Sequence, residues 1–236
     1  MTIPLVIAHR GDSFQALENS LEAIRKALAY PVDMIEIDVR LSRDKTLFVM
    51  HDKSTERTAE RGLDVERSNA RELAHVRLRN GEQIPTLTDV IKAVSGKAGL
   101  NIEIKSDGAG LLTAELLASS DYEGYVLVSS FKEEEVHAVH RILPALPVSM
   151  IFDVFTIKDV SSYAEQGYKI VSLRKTAVTD QLVKACHGEG IQVYAWTIDS
   201  ADEMQKFIDW NIDGIYSNRP DVLKTVVTRL RLAGRE

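Results

Sequence analysis

Two short stretches place carboxylates at every second position. In Ile35-Glu36-Ile37-Asp38 the acidic pair is two residues apart, and in Asn101-Ile102-Glu103-Ile104-Lys105 the polar side chains follow the same spacing. Successive side chains of a strand point to opposite faces, so each stretch has one polar face and one isoleucine face. In a barrel strand the isoleucines turn out to the helices and the carboxylates turn in. Buried charge is costly unless it is paired or coordinated. If the two strands converge, Glu36, Asp38 and Glu103 form an all-oxygen donor set suited to one hard divalent cation, Mg2+ or Ca2+. The competing readings are an exposed hairpin for the first stretch and a surface Glu103–Lys105 pair for the second.

Two histidines stand beside these strands. His9-Arg10-Gly11 ends one apolar run and His51-Asp52 ends another. Barrel active sites lie at the C-terminal ends of strands. Two imidazoles there make a natural acid/base pair. Arg10 has the fork geometry for an anionic oxygen, and Gly11 permits a sharp turn. His75, His137, His140 and His187 have no such setting and read as helix-face or insertion residues.

These groups need a scaffold, and the chain alternates short β-branched runs with longer amphipathic ones. Strands are expected at 5–9, 34–41, 46–51, 100–105, 126–131, 148–152, 169–173, 192–197 and 214–217. Helices are expected at 20–29, 87–95, 110–118, 132–143, 157–166, 179–188, 201–210 and 220–232. Strand-then-helix alternation implies parallel strands with crossovers. Only Ser42-Arg43-Asp44-Lys45 joins Leu41 to Thr46, too short for a crossover, so the strand from Thr46 to His51 must return antiparallel. The eight others suffice to close a (β/α)8 TIM-type barrel, with a doubly wound open sheet as the competing architecture. The irregular, charged stretch from about residue 52 to 85 reads as a small insertion after the early hairpin, and residues 1–236 as a single domain.

Composition bounds the partners. The 236 residues carry 29 Lys+Arg against 35 Asp+Glu, a net charge of −6, which argues against a nucleic-acid coat. An anionic substrate then needs a local positive device. The one cysteine, Cys186, excludes an intrachain disulfide framework and a cysteine zinc cluster. No apolar run is long enough to span a bilayer, so no stable membrane insertion is expected. The stretch from Met1 to Ala8 lacks a basic leader and does not read as a signal peptide, which points to the cytoplasm. Oligomeric state is open.

Taken in order along the chain, the motifs resemble the glycerophosphodiester phosphodiesterase family of the smaller cytosolic bacterial type. They run from Ile7-Ala8-His9-Arg10-Gly11 through Glu18-Asn19-Ser20, Glu36-Ile37-Asp38-Val39 and Val49-Met50-His51-Asp52 to the insertion features Arg57-Thr58, Gly62 and Arg71-Glu72-Leu73. Ile84-Pro85-Thr86-Leu87, the second acidic strand, Ser129-Ser130-Phe131, Ala195-Trp196-Thr197 and Asp213-Gly214-Ile215 complete the series. The resemblance implies a metal-dependent hydrolase of small phosphodiesters such as glycerophosphocholine and glycerophosphoethanolamine, releasing sn-glycerol 3-phosphate and an alcohol. It makes His9 and His51 the acid/base pair, Glu36, Asp38 and Glu103 the metal ligands, and Arg10 and Lys105 the phosphate cations. Trp196 and Phe131 become cleft walls, though Phe131 reads more readily as core packing. The chain departs from the family pattern at Leu17, which touches loop stiffness more than chemistry, at Thr88-Asp89, where no role is expected, and at Ser217-Asn218 near the last strand, where the family's acidic residue is replaced.

The residues leave the nucleophile open between water and the glycerol 2-hydroxyl, as they do the division of acid and base between the histidines. The rival readings are a phospholipase C- or D-like headgroup enzyme and a non-catalytic phosphate-binding barrel. A bilayer enzyme should show a greasy rim or docking helix, whereas the aromatic share is 6% and residues 52–81 are charged.

Overall fold

The computed structural model describes residues 3–233, so Met1 and Thr2, which begin the stretch read against a signal peptide, lie outside the described residues. The elements are, in order, β1 (Leu5–His9), α1 (Leu21–Leu28), β2 (Met34–Leu41), β3 (Leu47–Val49), α2 (Ala70–Ala74), α3 (Leu87–Val94) and β4 (Gly99–Ile104). There follow α4 (Ala109–Ala118), β5 (Val126–Ser130), α5 (Glu133–Ile142), β6 (Val148–Phe152), α6 (Ile157–Glu165) and β7 (Ile170–Arg174). The chain closes with α7 (Asp180–Gly188), β8 (Gln192–Trp196), α8 (Ala201–Asp209), β9 (Gly214–Ser217) and α9 (Pro220–Ala233).

Eight strands run parallel around a closed ring, β1-β2-β4-β5-β6-β7-β8-β9, because β1 pairs with both β2 and β9. This is the (β/α)8 barrel, and the open doubly wound sheet is excluded. β3 lies outside the ring, antiparallel to β2, with Val39 opposite Val49 and Leu41 opposite Leu47. Its ladder stops at Val49, earlier than expected. Met50 still donates from its backbone to Asp38 O at 2.9 Å, and His51 follows in a bend.

Alternation decides what faces where. Ile35, Ile37 and Val39 of β2, with Leu100, Ile102 and Ile104 of β4, join the main core between strands and helices. The alternate residues point into the barrel. There Ile7, Met34, Leu127, Ile170, Tyr194 and Tyr216 form a second apolar cluster. Above it lies a hydrogen-bonded polar layer. Asn101 Nδ2 donates to Ser129 Oγ (2.9 Å), Tyr216 Oη donates to Asn101 Oδ1 (3.3 Å), and Ser149 and Ser172 hydroxyls pair at 3.0 Å.

Helix starts follow local chemistry. Ser20 caps α1 by accepting from Ala23 N, and Thr86 with Asp89 forms a capping box on α3, a structural use for the departing Asp89. Residues 52–86 pack a separate apolar cluster of Phe48, Met50, Ala59, Val65, Leu73, Val76, Leu78 and Ile84 beside β3. The sequence gives no helical expectation there, yet α2 forms. Asn69 and Glu72 box its N-terminus, and only Leu73 of its residues is buried. Among the described residues no helix is long and apolar enough to cross a membrane.

Candidate active site

Gly11 sets the first turn of the site. It sits at φ +81°, and a Cβ there would come within 2.6 Å of the Ala23 carbonyl carbon. Arg10 before it is also left-handed, at φ 59°, a conformation costing a residue with a Cβ roughly 1–2 kcal/mol. The turn aims its backbone N–H at Glu36 Oε2, 2.7 Å away. Asn19, again at φ 59°, donates from Nδ2 to Asp38 Oδ2 at 2.8 Å and accepts from Asp38 N at 3.2 Å. Two left-handed residues of the loop after β1 therefore grip the two acidic residues of β2.

The mouth opens into a cavity of about 190 Å3 lined by His9, Arg10, Glu36, His51, Glu103, Lys105, Phe131 and Trp196 among others. Oxygens of Glu36, Asp38 and Glu103 all lie within 4.8 Å of one another. Of the nine residues singled out from sequence, only Asp38 does not line the cavity; it lies beneath, 0% exposed. Phe131 corrects the core-packing expectation. It lies one residue past β5, 44% exposed, with its ring edge-on to Trp196 at 5.9 Å. Lys105 and Phe131 fall just beyond their strands and so turn over the mouth.

The carboxylates are held at very different proton affinities. Burial, reinforced by Asp38 and Glu103, pushes Glu36 well above the usual carboxylate range. Burial and Asp38 push Glu103 to about 7. Burial also raises Asp38, but Arg10 and Lys105 outweigh it and hold that group near about 2. Lys105 Nζ lies 2.5 Å from Glu103 Oε1 and 3.4 Å from Asp38 Oδ1, while Arg10 Nε lies 3.1 Å from Asp38 Oδ2. Glu36 Oε1 and Asp38 Oδ1 are buried and make no hydrogen bond among the described residues, the longer Lys105 ion pair being the contact of Asp38 Oδ1. Orphaned oxygens and a carboxyl raised to about 7 are what a hard divalent cation would relieve, so the donor set fits one.

Each histidine is held by Nδ1. His9 Nδ1 lies 2.7 Å from Asn218 Oδ1, and His51 Nδ1 lies 2.6 Å from Asp52 Oδ1. The Asn218 amide has a defined direction, because Asp199 Oδ2 accepts from Asn218 Nδ2 at 2.8 Å. Oδ1 therefore faces His9, whose Nδ1 carries the hydrogen, leaving Nε2 basic. Burial and the neighbouring Arg10 charge lower His9 to about 4.

Several site residues were given no role from sequence, although Glu18 and Arg57 stand in motifs that carry the resemblance. Asn218, where the family's acidic residue is replaced, is the first. Glu18 and Arg57 are the next. Arg57 NH1 and NH2 reach the two oxygens of Glu18 at 2.7 Å each, and Arg57 Nε reaches Asp52 Oδ2 at 2.6 Å. Glu18 in turn accepts from Arg10 NH1 at 2.8 Å. A continuous charged chain thus runs Arg10–Glu18–Arg57–Asp52–His51. Arg40, fourth in the inward row of β2 after Met34, Glu36 and Asp38, donates from Nε to the His51 carbonyl at 2.8 Å and from NH1 to Glu66 at 2.9 Å. An alternating strand marks Arg40 as inward, but its partners come from the bend at His51 and from Glu66 of the insertion, both unseen in the strand pattern. His75, His137, His140 and His187 line no part of the cavity.

Residues 9–222 match the family model described as the glycerophosphoryl diester phosphodiesterase family. The chain is 29% identical over 238 residues to a glycerophosphodiester phosphodiesterase of Caldanaerobacter subterraneus subsp. tengcongensis, covering 95% of this chain and 98% of that protein. A phosphodiesterase of Oleispira antarctica, solved in complex with the product sn-glycerol-3-phosphate, superposes with TM-score 0.88 at 23% identity, over 96% of this chain and 97% of that one. A glycerophosphodiester phosphodiesterase from Thermotoga maritima superposes with TM-score 0.76 at 26% identity, over 98% of each chain. With the barrel and the clustered site in place, a match across residues 9–222 means that the chain belongs to the glycerophosphoryl diester phosphodiesterase family and is an enzyme of that class.

Proposed function

We propose that the protein hydrolyses small glycerophosphodiesters to sn-glycerol 3-phosphate and a free alcohol, with one divalent cation, Mg2+ or Ca2+, held by Glu36, Asp38 and Glu103. The observation that carries this is the convergence of three carboxylates within 4.8 Å, Glu36 and Glu103 lining the cavity that His9 and His51 also line and Asp38 lying beneath it. When bound, such an ion would neutralise charge developing on the phosphoryl oxygens and lower the pKa of a hydroxyl beside it. Charge balance supports it. Ionised, the three carboxylates outweigh Arg10 and Lys105 by one negative charge. A divalent ion turns that into one positive charge, matched to the single negative charge of a phosphodiester.

Arg10 and Lys105 bind and orient the phosphoryl group. His9, neutral and free at Nε2, accepts the proton of the attacking oxygen, a glycerol 2-hydroxyl or water. A new bond to phosphorus forms as the bond to the leaving alcohol breaks; attack by water gives sn-glycerol 3-phosphate directly, whereas attack by the 2-hydroxyl gives a cyclic glycerophosphate that a water then opens to it. His51, steadied at Nδ1 by Asp52, gives the departing oxygen its proton. Such proton transfers contribute typically about 10²–10⁴-fold. The Asp52 carboxylate would share the charge of the doubly protonated ring, whereas the neutral Asn218 amide offers His9 none. This difference in partners supports His9 as base and His51 as acid.

The test is glycerol 3-phosphate release, followed with a coupled dehydrogenase, with and without chelator. Multiple turnovers abolished by chelator and restored by Mg2+ or Ca2+ are expected. Turnover unaffected by chelation would remove the metal from the scheme. Preference for lysophosphatidylcholine or phosphatidylinositol would move the enzyme to lipid headgroups.

A further inference from the structure

Across the mouth from β2 and β4, the ends of three strands build a second recognition surface. Asp153 follows β6, Arg174 ends β7 and Trp196 ends β8, and all three line the same cavity as Glu36 and Glu103. The Arg174 guanidinium lies over the Trp196 ring, 5.2 Å from its centroid. Arg174 Nε and NH2 both reach Asp153 Oδ1, each at 2.6 Å. Trp196 Nε1 is buried and has no hydrogen-bond acceptor among the described residues.

We infer that Arg174 and Asp153 select the alcohol arm of the substrate, favouring a neutral polyhydroxy alcohol over a quaternary ammonium alcohol. The inference rests on the phosphodiesterase reading and deepens it. A trimethylammonium group makes no hydrogen bonds and is recognised by an open aromatic face. Here that face is covered by the Arg174 guanidinium, so an incoming trimethylammonium group finds no open ring, an element built against the wrong ligand of the kind that creates specificity. The pair suits hydroxyl groups instead. Asp153 Oδ2 accepts from them and the remaining N–H groups of Arg174 donate to them. The C–H faces of a polyol rest against Trp196 and Phe131. An anionic alcohol gains nothing, since Asp153 offsets Arg174.

The test compares kcat/KM for glycerophosphoglycerol, glycerophosphoinositol and glycerophosphocholine in the metal-loaded wild type, Arg174→Gln and Arg174→Lys. Arg174 and Asp153 side chains are 51% and 56% exposed, so the variants fold, which an unchanged melting temperature checks. The wild type is expected to prefer both polyol diesters. In Arg174→Gln these should fall about tenfold, the size of one charge-assisted hydrogen bond, while glycerophosphocholine rises. Arg174→Lys keeps the charge and should still disfavour glycerophosphocholine. A wild type that prefers glycerophosphocholine, or an Arg174→Gln variant that changes all three diesters in proportion, would overturn the selectivity and leave the hydrolase intact. A wild type inactive on all three would remove both.

Discussion

His9 Nδ1 lies 2.7 Å from the side-chain oxygen of Asn218, 209 residues away in sequence, and that one contact sets which nitrogen of the ring faces the substrate. Asn218→Ala removes the orienting acceptor and should lower kcat by roughly 10–100-fold, short of the full general-base contribution, with metal affinity unchanged by calorimetry. Asn218→Asp places a carboxylate on Nδ1 and favours the protonated ring. A base works only when neutral, so activity falls as pH drops through its pKa, about 4 in the wild type. The acid limb of kcat/KM should move to higher pH in Asn218→Asp. An unmoved limb would mean that His9 is not the base.

His9→Ala and His51→Ala should each lose about 10²–10⁴-fold in turnover and still titrate metal. Near wild-type activity in either variant removes that histidine from proton transfer.

Glu103→Ala should abolish metal binding. In the intact protein, burial and Asp38 place Glu103 at about 7, above its ordinary 4.5. A raised carboxyl is most at ease protonated, so without metal its contribution to stability is full below about 4.5 and is lost as pH rises toward about 7. Metal must displace that proton. Affinity should therefore climb as pH rises to about 7, with proton release that shows as a buffer-dependent heat of binding. Affinity that stays flat from about pH 5 to about 7 would contradict this proton count.

Arg57 ties Glu18 to Asp52 through three N–H···O contacts of 2.6–2.7 Å. Arg57→Ala frees both carboxylates and loosens Arg10 and His51 together. We expect a loss in kcat smaller than that of His51→Ala and a stability loss of about 1 kcal/mol or less, since the side chain is 49% exposed. Arg57→Lys keeps the charge but not the fork, so it should restore stability more than kcat. Equal recovery of both would reduce Arg57 to a surface ion pair.

The barrel and the acidic trio were legible because both rest on alternation within single strands. Glu36 and Asp38 announce their shared face through the isoleucines between them, and the short link from Leu41 to Thr46 forces β3 antiparallel. Glu18, Arg57, Asp199 and Asn218 were not legible as a site, because each works on a partner remote in sequence. Asn218 bonds His9 only because β9 closes against β1. Phe131 was misjudged because strand periodicity cannot tell the last residue inside a ladder from the first one past it. α2 stayed hidden because it buries a single leucine and leans on its cap.

His9 belongs to the closed ring, but His51 follows β3, the one strand hung outside it, and is steadied by Arg40 and by the segment that follows. One proton-handling group is thus a fixture of the scaffold and the other a passenger on an appendage. Lengthening, shortening or exchanging residues 52–86 would retune the timing between the two without disturbing a single rung of the barrel. A graft of that segment that keeps Arg57, whose tie to Glu18 reaches Arg10, should transplant alcohol-release behaviour while the ion-holding wall stays as it was.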